Sequence, residues 1–133
     1  MNLKAQEKLF DIEWFEGPMM SLFTNKKGGL FIYKWVDANP DSHTWLVFRT
    51  THTLVAAYTQ QVISEQALIL LAYDKTWYLV DINPLLEVSN KRKISVQILH
   101  QTVLPKTHTF FRIGNCLEPD KLNLFISQEM VAA

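Results

Sequence analysis

Residues 17–50 constrain the fold more than any other part of this sequence, because three short apolar runs alternate there with two polar turns. The runs are rich in aromatic and β-branched side chains and have the length of strands; they span residues 19–23, 30–36 and 45–48. The first turn includes Gly28 and Gly29, which tolerate the left-handed backbone angles of a hairpin. The second turn, residues 39–42, has turn-forming residues throughout. The stretch predicts a three-stranded antiparallel meander.

Further strands are predicted where apolar and polar residues alternate. They cover residues 9–15, 77–82, 93–103 and 107–113. Residues 85–89 remain ambiguous, and residues 1–8 are either frayed or a short helical turn. With the meander, these segments predict a mostly antiparallel sheet of five to seven strands.

Helical spacing of apolar residues appears in three places. Leu54, Tyr58 and Val62 are four residues apart, and either Thr51 or Thr53 is expected to cap their helix. Ser64 is placed to cap a second helix over residues 65–70, and a third is predicted over residues 119–131. We therefore expect two or three short helices and one α+β domain over residues 1–133.

The second run of the meander is apolar on both of its sides. Phe31, Tyr33 and Trp35 share one face, whereas the alternate positions are apolar except for Lys34. Together with Trp45 on the next strand, they belong to sixteen aromatic residues, more than we expect a domain of this size to bury. The predicted function is non-catalytic binding to a second copy or a protein partner, as in a homodimer. The contact candidates are Tyr33, Trp35 and Trp45.

Charge is divided unevenly along the chain, although its formal net value is zero. Residues 88–117 contain no Asp or Glu, so this segment carries +5 and the remainder carries −5. A basic ribbon of antiparallel strands would suit phosphate groups. The alternative prediction is therefore an accessory protein that binds nucleic acid or another polyanion through Lys91, Arg92, Lys93, Lys106 and Arg112.

Other classes of function receive little support. The four histidines lack close metal-ligand spacing, and no phosphate-cradling or dinucleotide motif is present, so we expect no metal and no cofactor. A small hydrolase using Asp11 and Glu13, or Cys116, is a distant alternative. No signal peptide is recognisable, and the longest apolar run, residues 67–73, is too short for a membrane span. With its single cysteine, the chain is expected to be cytoplasmic.

Residues 9–82 resemble a bacterial domain family of unknown function. The resemblance rests on Phe15-Glu16-Gly17-Pro18, Ser21-Leu22-Phe23, Tyr33-Lys34-Trp35-Val36-Asp37, Trp45-Leu46-Val47-Phe48-Arg49 and Tyr78-Leu79-Val80-Asp81-Ile82. Most of these residues are core aliphatics and aromatics. The resemblance therefore implies a fold but no reaction.

Overall fold

The structure is a computed structural model that describes residues 3–102, 104–106 and 108–132, with side chains except those of residues 4, 102 and 129–132. Within this part, the chain forms a single six-stranded sheet and four α-helices. The strands are β1 Glu7–Trp14, β2 Pro18–Thr24, β3 Leu30–Asn39, β4 Ser42–Thr50, β5 Trp77–Ile82 and β6 Val88–Ile94. The helices are α1 His52–Thr59, α2 Glu65–Leu70, α3 Val96–Thr102 and α4 Pro119–Ala132, and Leu3–Ala5 and Ile113–Asn115 are 3-10 turns.

The strands follow one another in chain order, and each pairs antiparallel with the next. The predicted α+β class and antiparallel sheet are confirmed. Local side-chain bonds fix the meander: Asn25 Oδ1 accepts from the backbone N–H of Gly29 at 2.7 Å, while Gly28 takes a φ of +80°. In the next turn, Asn39 Oδ1 accepts from the N–H groups of Asp41 and Ser42.

Two of the predicted strands are wrong. Residues 96–102 form α3, and residues 104–106 and 108–112 contain no strand; Val103 and Thr107 lie outside the described residues. Ile94, Val96 and Ile98 alternate as in a strand, but Ser95 Oγ accepts from the N–H of Ile98 at 3.2 Å and so starts a helix. Only Ile94 of these three apolar side chains is buried, and it ends β6.

The sheet has two apolar faces, as the alternation predicted. The helices cover one, the helix face, where Ile32, Leu46 and Phe48 pack against Val55, Leu68 and Leu99. The opposite side, the open face, has a separate cluster of Phe31, Tyr33, Val47 and Val80, bordered by Phe23, Trp45, Tyr78 and Ile82. Of the described residues outside the sheet, Leu3 packs against this cluster.

Thr51 is the residue that caps α1, which resolves the choice between Thr51 and Thr53. Its side chain accepts from the N–H of Leu54 at 3.2 Å, whereas Thr53 is exposed. We expect Thr51→Ala to lower the free energy of unfolding by about 1 kcal/mol, because the helix loses a partner for an N-terminal N–H group. Urea denaturation measures the loss, and Thr53→Ala serves as the matched control. Equal losses for both variants would contradict this assignment.

Candidate functional site

A groove of about 670 Å³ crosses the open face. Strands β2 to β5 contribute its apolar floor, which includes Phe23, Tyr33, Trp45 and Ile82. The rings of Phe23 and Tyr33 have centroids 4.2 Å apart, and Tyr33 Oη donates to Gln6 Oε1 at 2.6 Å. Burial raises the pKa of Tyr33, so its hydroxyl remains a neutral donor. The groove is therefore mainly apolar, with a fixed polar group in one wall.

Two aliphatic side chains in the turn between β5 and β6, near this groove, are exposed to solvent. Leu85 is 76% exposed and Leu86 is 86% exposed, and Leu86 also lines the groove. Asn83 holds the turn, since its Oδ1 accepts from the N–H groups of Leu85 and Glu87 at 3.0 and 2.9 Å. Leu86 has a φ of +62°, a conformation that is costly for a branched side chain. The protein thus maintains an apolar projection in solvent.

The predicted contact residues are only partly brought together. Tyr33 and Trp45 both line the groove. Trp35 pairs directly with Trp45 across the strands and shares its face, but it is not among the groove-lining residues. The ring of Trp35 instead meets His43 edge-on at 6.5 Å, and a bulge follows Trp35 in β3. The groove therefore has two of the three predicted aromatic residues.

The other end of the groove is polar. Lys8 and Ser21 line it. Both bind Asp11: Ser21 Oγ donates to Asp11 Oδ1 at 2.5 Å, and Lys8 Nζ lies 3.1 Å from the same oxygen. These bonds neutralise the carboxylate where it is buried, and the charges at this end are balanced within the chain.

The five predicted polyanion-binding residues do not form one ribbon. Lys91 and Lys93 pair with Val80 and Tyr78 and so belong to the open face; Lys91 Nζ lies 5.6 Å from the Tyr78 ring centroid. Arg92 is on the other face, where its Nη1 lies 3.6 Å from Asp81 Oδ2. Lys106 and Arg112 follow α3, in the segment that packs beside α1 and α2.

A second concavity, which we term the helix-side cavity, has a volume of about 530 Å³. It lies between the end of β1, helices α1 and α2, and residues 108–115. Its lining residues are mostly polar: Glu13, Tyr58, Gln61, Glu65, His108, Thr109, Phe110, Phe111, Arg112 and Asn115. The cavity combines the buried carboxylate of Glu65 and the half-buried carboxylate of Glu13 with basic residues on one segment.

Asp11 and Glu13 were expected to share a face, and this is wrong. The register shifts between them, because Asp11 pairs with Ser21 and Glu13 pairs with Met20, so two positions on β1 correspond to one on β2. The bulge turns Glu13 toward the helices, where it accepts a short hydrogen bond from Tyr58 Oη. Asp11 remains on the groove side. The two carboxylates are thus on opposite sides of the sheet and do not form the predicted pair.

A network of charged side chains lies at the inner end of the helix-side cavity. Lys34 Nζ forms a close ion pair with Glu65 Oε1, linking β3 to α2. Burial raises the pKa of Glu13; the hydrogen bond from Tyr58 lowers it, nearby Glu65 raises it, and Lys34 lowers it. Burial and the same two carboxylates raise the pKa of Tyr58, which therefore stays protonated. The network thus places the carboxylates of Glu13 and Glu65 near one another between the sheet and the helices, with Lys34 as its cation.

Sequence reasoning missed Tyr58, Glu65 and Lys34 as members of a site. One signal was available, since Lys34 was the single polar residue on an otherwise two-sided apolar strand. A lysine on a buried face requires an anionic partner. The partner is thirty-one positions away in the sequence, and no local pattern connects them.

Cys116, the predicted thiol of the distant hydrolase alternative, is only 8% exposed. Burial raises the pKa of its thiol, and the backbone bond at Glu118 lowers it less. A raised pKa disfavours the thiolate, which is the nucleophilic form. The surroundings of Cys116 therefore suit a packed side chain.

No family model, no curated protein and no solved structure matched this chain in the comparisons. The resemblance to a bacterial domain family therefore remains a prediction. In the described part of the chain, each helix is too short or too polar to cross a membrane.

The pH dependence of stability should reveal the environment of Glu13. Since its pKa is raised above its ordinary value of 4.5, the folded protein binds more protons than the unfolded chain above that pH. Stability then falls as pH rises through the interval between the unfolded and folded pKa values. We expect Glu13→Gln to remove this fall, changing the slope by up to about 1.4 kcal/mol per pH unit within the interval.

Urea titrations from pH 4 to 8 measure this difference. Glu16→Gln is the control, because Glu16 is an exposed carboxylate close to Glu13 in the sequence. The groups that face Glu13 are Tyr58, Glu65 and Lys34. Wild type and Glu13→Gln both retain these three residues. Parallel pH profiles for wild type and Glu13→Gln would contradict the raised pKa.

Proposed function

We propose that this protein is a non-catalytic binding protein and that its open face binds a second copy of the chain. The observation that carries the proposal is the position of an apolar groove beside an apolar projection on the same face. Tyr33 and Trp45 are in the groove floor, Leu86 lines the groove, and Leu85 is exposed in the same turn as Leu86.

A two-fold dimer uses one patch twice, so the patch must be complementary to itself. A groove and an adjacent projection meet this requirement, because each copy inserts its leucines into the groove of the other. Both insertions occur together under a single two-fold axis. A partner of different structure would need only the groove, and the exposed leucines would remain unexplained.

The conformation of Leu86 supports a contact role. A residue with a positive φ persists where its surroundings or its function maintain it, and glycine or asparagine is the ordinary choice. Here a leucine takes that conformation with 86% of its surface in solvent. Since the turn gains nothing from packing this side chain within one copy, its burial in an interface accounts for its presence.

The apolar floor also predicts how the interaction responds to salt. Its association energy comes from removing aromatic and aliphatic surface from water, a contribution that salt does not screen. The charges at the polar end, on Lys8 and Asp11, are already paired within the chain. We therefore expect a dimer that persists at high ionic strength.

Leu86→Asn is the variant that tests the projection. Asparagine adopts a positive φ more readily than leucine, so folding is retained while the apolar contact is lost. Sedimentation velocity should show a dimer for wild type and at least about a tenfold weaker association for the variant, as expected for a buried leucine worth about 1.5 kcal/mol or more.

Val62→Asn provides the matched control, because Val62 is also in a turn and is 70% exposed, but it lies between α1 and α2. It should associate like wild type. A monomeric wild type, or equal effects of both variants, would overturn the proposal.

Polyanion binding is the second candidate, and the placement of Lys91 and Lys93 on the open face favours it. These lysines flank Tyr78 and lie on the face that also has Trp45, so phosphate and base contacts would be available together. Binding to heparin or single-stranded DNA that falls steeply with salt, and that Lys91→Gln/Lys93→Gln abolishes, would support it. Absence of retention on heparin at low salt would exclude it.

A further inference from the structure

The helix-side cavity is shaped by bonds that fix both of its walls. The backbone N–H of Glu65, at the start of α2, donates to Thr109 O at 2.8 Å, and Gln61 Nε2 donates to Phe111 O at 2.7 Å. Phe111 is 1% exposed, and its ring centroid is 5.6 Å from that of Tyr58. The segment that closes the cavity is therefore anchored on the helices.

The inner end has two carboxylates and one ammonium group. Glu65 is 5% exposed and pairs through Oε1 with Lys34, while Glu13 accepts from Tyr58 through Oε1. In the described part of the chain, no donor is bonded to the second oxygen of either carboxylate, and both residues line the cavity. With both carboxylates ionised, the inner end has a formal charge of −1 and two free acceptor oxygens.

The outer end has the opposite sign. Arg112 lines the cavity from the 108–115 segment and is exposed, and His108 lies on the same segment. Tyr58, Phe110 and Phe111 also line the cavity, although Tyr58 and Phe111 are each only 1% exposed. The cavity lining thus combines the carboxylates of Glu13 and Glu65 with the exposed guanidinium of Arg112.

We propose that this cavity binds a small zwitterion, with its ammonium group at the free oxygens of Glu13 and Glu65 and its anionic group at Arg112. An ammonium group can donate to the second oxygen of each carboxylate. A guanidinium at the outer end provides a forked donor for a carboxylate or phosphate. A volume of about 530 Å³ lies in the range of small-molecule pockets.

A purely structural role for the network explains the Lys34–Glu65 pair and the Tyr58–Glu13 bond, since both tie helices to the sheet. It does not explain why a cavity remains beside them or why Arg112 lines its outer end. A ligand with both charges accounts for the carboxylates, for the cavity beside them and for Arg112 at its outer end. This site is on the opposite side of the sheet from the groove and is independent of dimer formation.

Isothermal titration calorimetry tests the proposal with a series of zwitterions of increasing charge separation: glycine, 4-aminobutyrate and 6-aminohexanoate. Butylamine and butyrate provide each charge alone. We expect at least one zwitterion to bind about tenfold more tightly than butylamine, and butyrate not to bind. At a pH where Glu13 is partly protonated, an ammonium group that stabilises its ionised form should displace a proton, so the measured heat should vary with the ionisation enthalpy of the buffer.

Two variants separate the ends of the site. Arg112→Gln should weaken zwitterion binding about tenfold and leave butylamine binding unchanged, and Glu13→Gln should weaken both and remove the proton release. Lys106→Gln is the matched control, because Lys106 is an exposed base of the neighbouring segment that does not line the cavity. The proposal is overturned if no zwitterion binds more tightly than butylamine, or if Arg112→Gln and Lys106→Gln behave alike.

Discussion

Lys34→Met is expected to lower the free energy of unfolding by about 3 kcal/mol at neutral pH. The variant removes the cationic partner of Glu65 while that carboxylate remains 5% exposed at the start of α2. A buried charge without its partner retains the cost of leaving water and loses the attraction that offset it. Urea denaturation monitored by circular dichroism measures the loss.

The double variant Lys34→Met/Glu65→Met distinguishes a broken ion pair from poor packing of methionine. Replacing both members of a buried pair with apolar side chains is often neutral, so the double variant should recover most of the loss. If the double variant is as unstable as the sum of the two single variants, the ion pair does not link β3 to α2 as described.

Trp45→Ala is expected to weaken self-association by about thirtyfold or more. A tryptophan at the centre of an apolar interface commonly contributes at least about 2 kcal/mol to binding, and Trp45 lies in the floor of the groove. Sedimentation equilibrium over a concentration series measures the change in dissociation constant, and circular dichroism verifies that the variant is folded.

Trp35→Ala is the matched control for this prediction. Trp35 is the cross-strand neighbour of Trp45 and has the same chemistry, but it does not line the groove. Its removal should weaken association by less than about fivefold, the size of a peripheral contact below about 1 kcal/mol. A larger effect from Trp35 than from Trp45 would contradict an interface centred on the groove and would place it around Trp35 instead.

The meander could be predicted because its determinants are local. Asn25, Gly28 and Asn39 provide turn chemistry within a few residues of the strands that they connect. Period-two alternation then assigned the two faces of β3 correctly, with Phe31 and Tyr33 on one side and Ile32 on the other. Sequence and structure agree where short-range signals are sufficient.

The segment between β6 and α4 could not be predicted in the same way. Its alternating Ile94, Val96 and Ile98 resemble a strand, and the cap formed by Ser95 redirects the backbone into α3. The helix-side cavity is built from β1, α1, α2 and the 108–115 segment, which meet only after folding. A bulge in β1 additionally moved Glu13 to the face opposite Asp11, and period-two reasoning does not foresee a bulge.

The two proposals give the two sides of the sheet different tasks. The open face offers aromatic and aliphatic surface suited to a second copy, whereas the helix side offers charged side chains suited to a small polar molecule. Because Tyr33 and Trp45 line one concavity and Glu13 and Arg112 line the other, variants of one site should leave the other site unchanged. Calorimetry on Trp45→Ala and sedimentation of Arg112→Gln examine this independence.

Light scattering behind a sizing column, at low and high salt, is the most direct test of binding through the open face. The molar mass measured for wild type should be twice that of one chain at both salt concentrations. The molar mass of Leu86→Asn should shift toward that of one chain. A single-chain mass for wild type at every concentration, or a dimer that high salt dissociates, would contradict an apolar two-fold interface on this face.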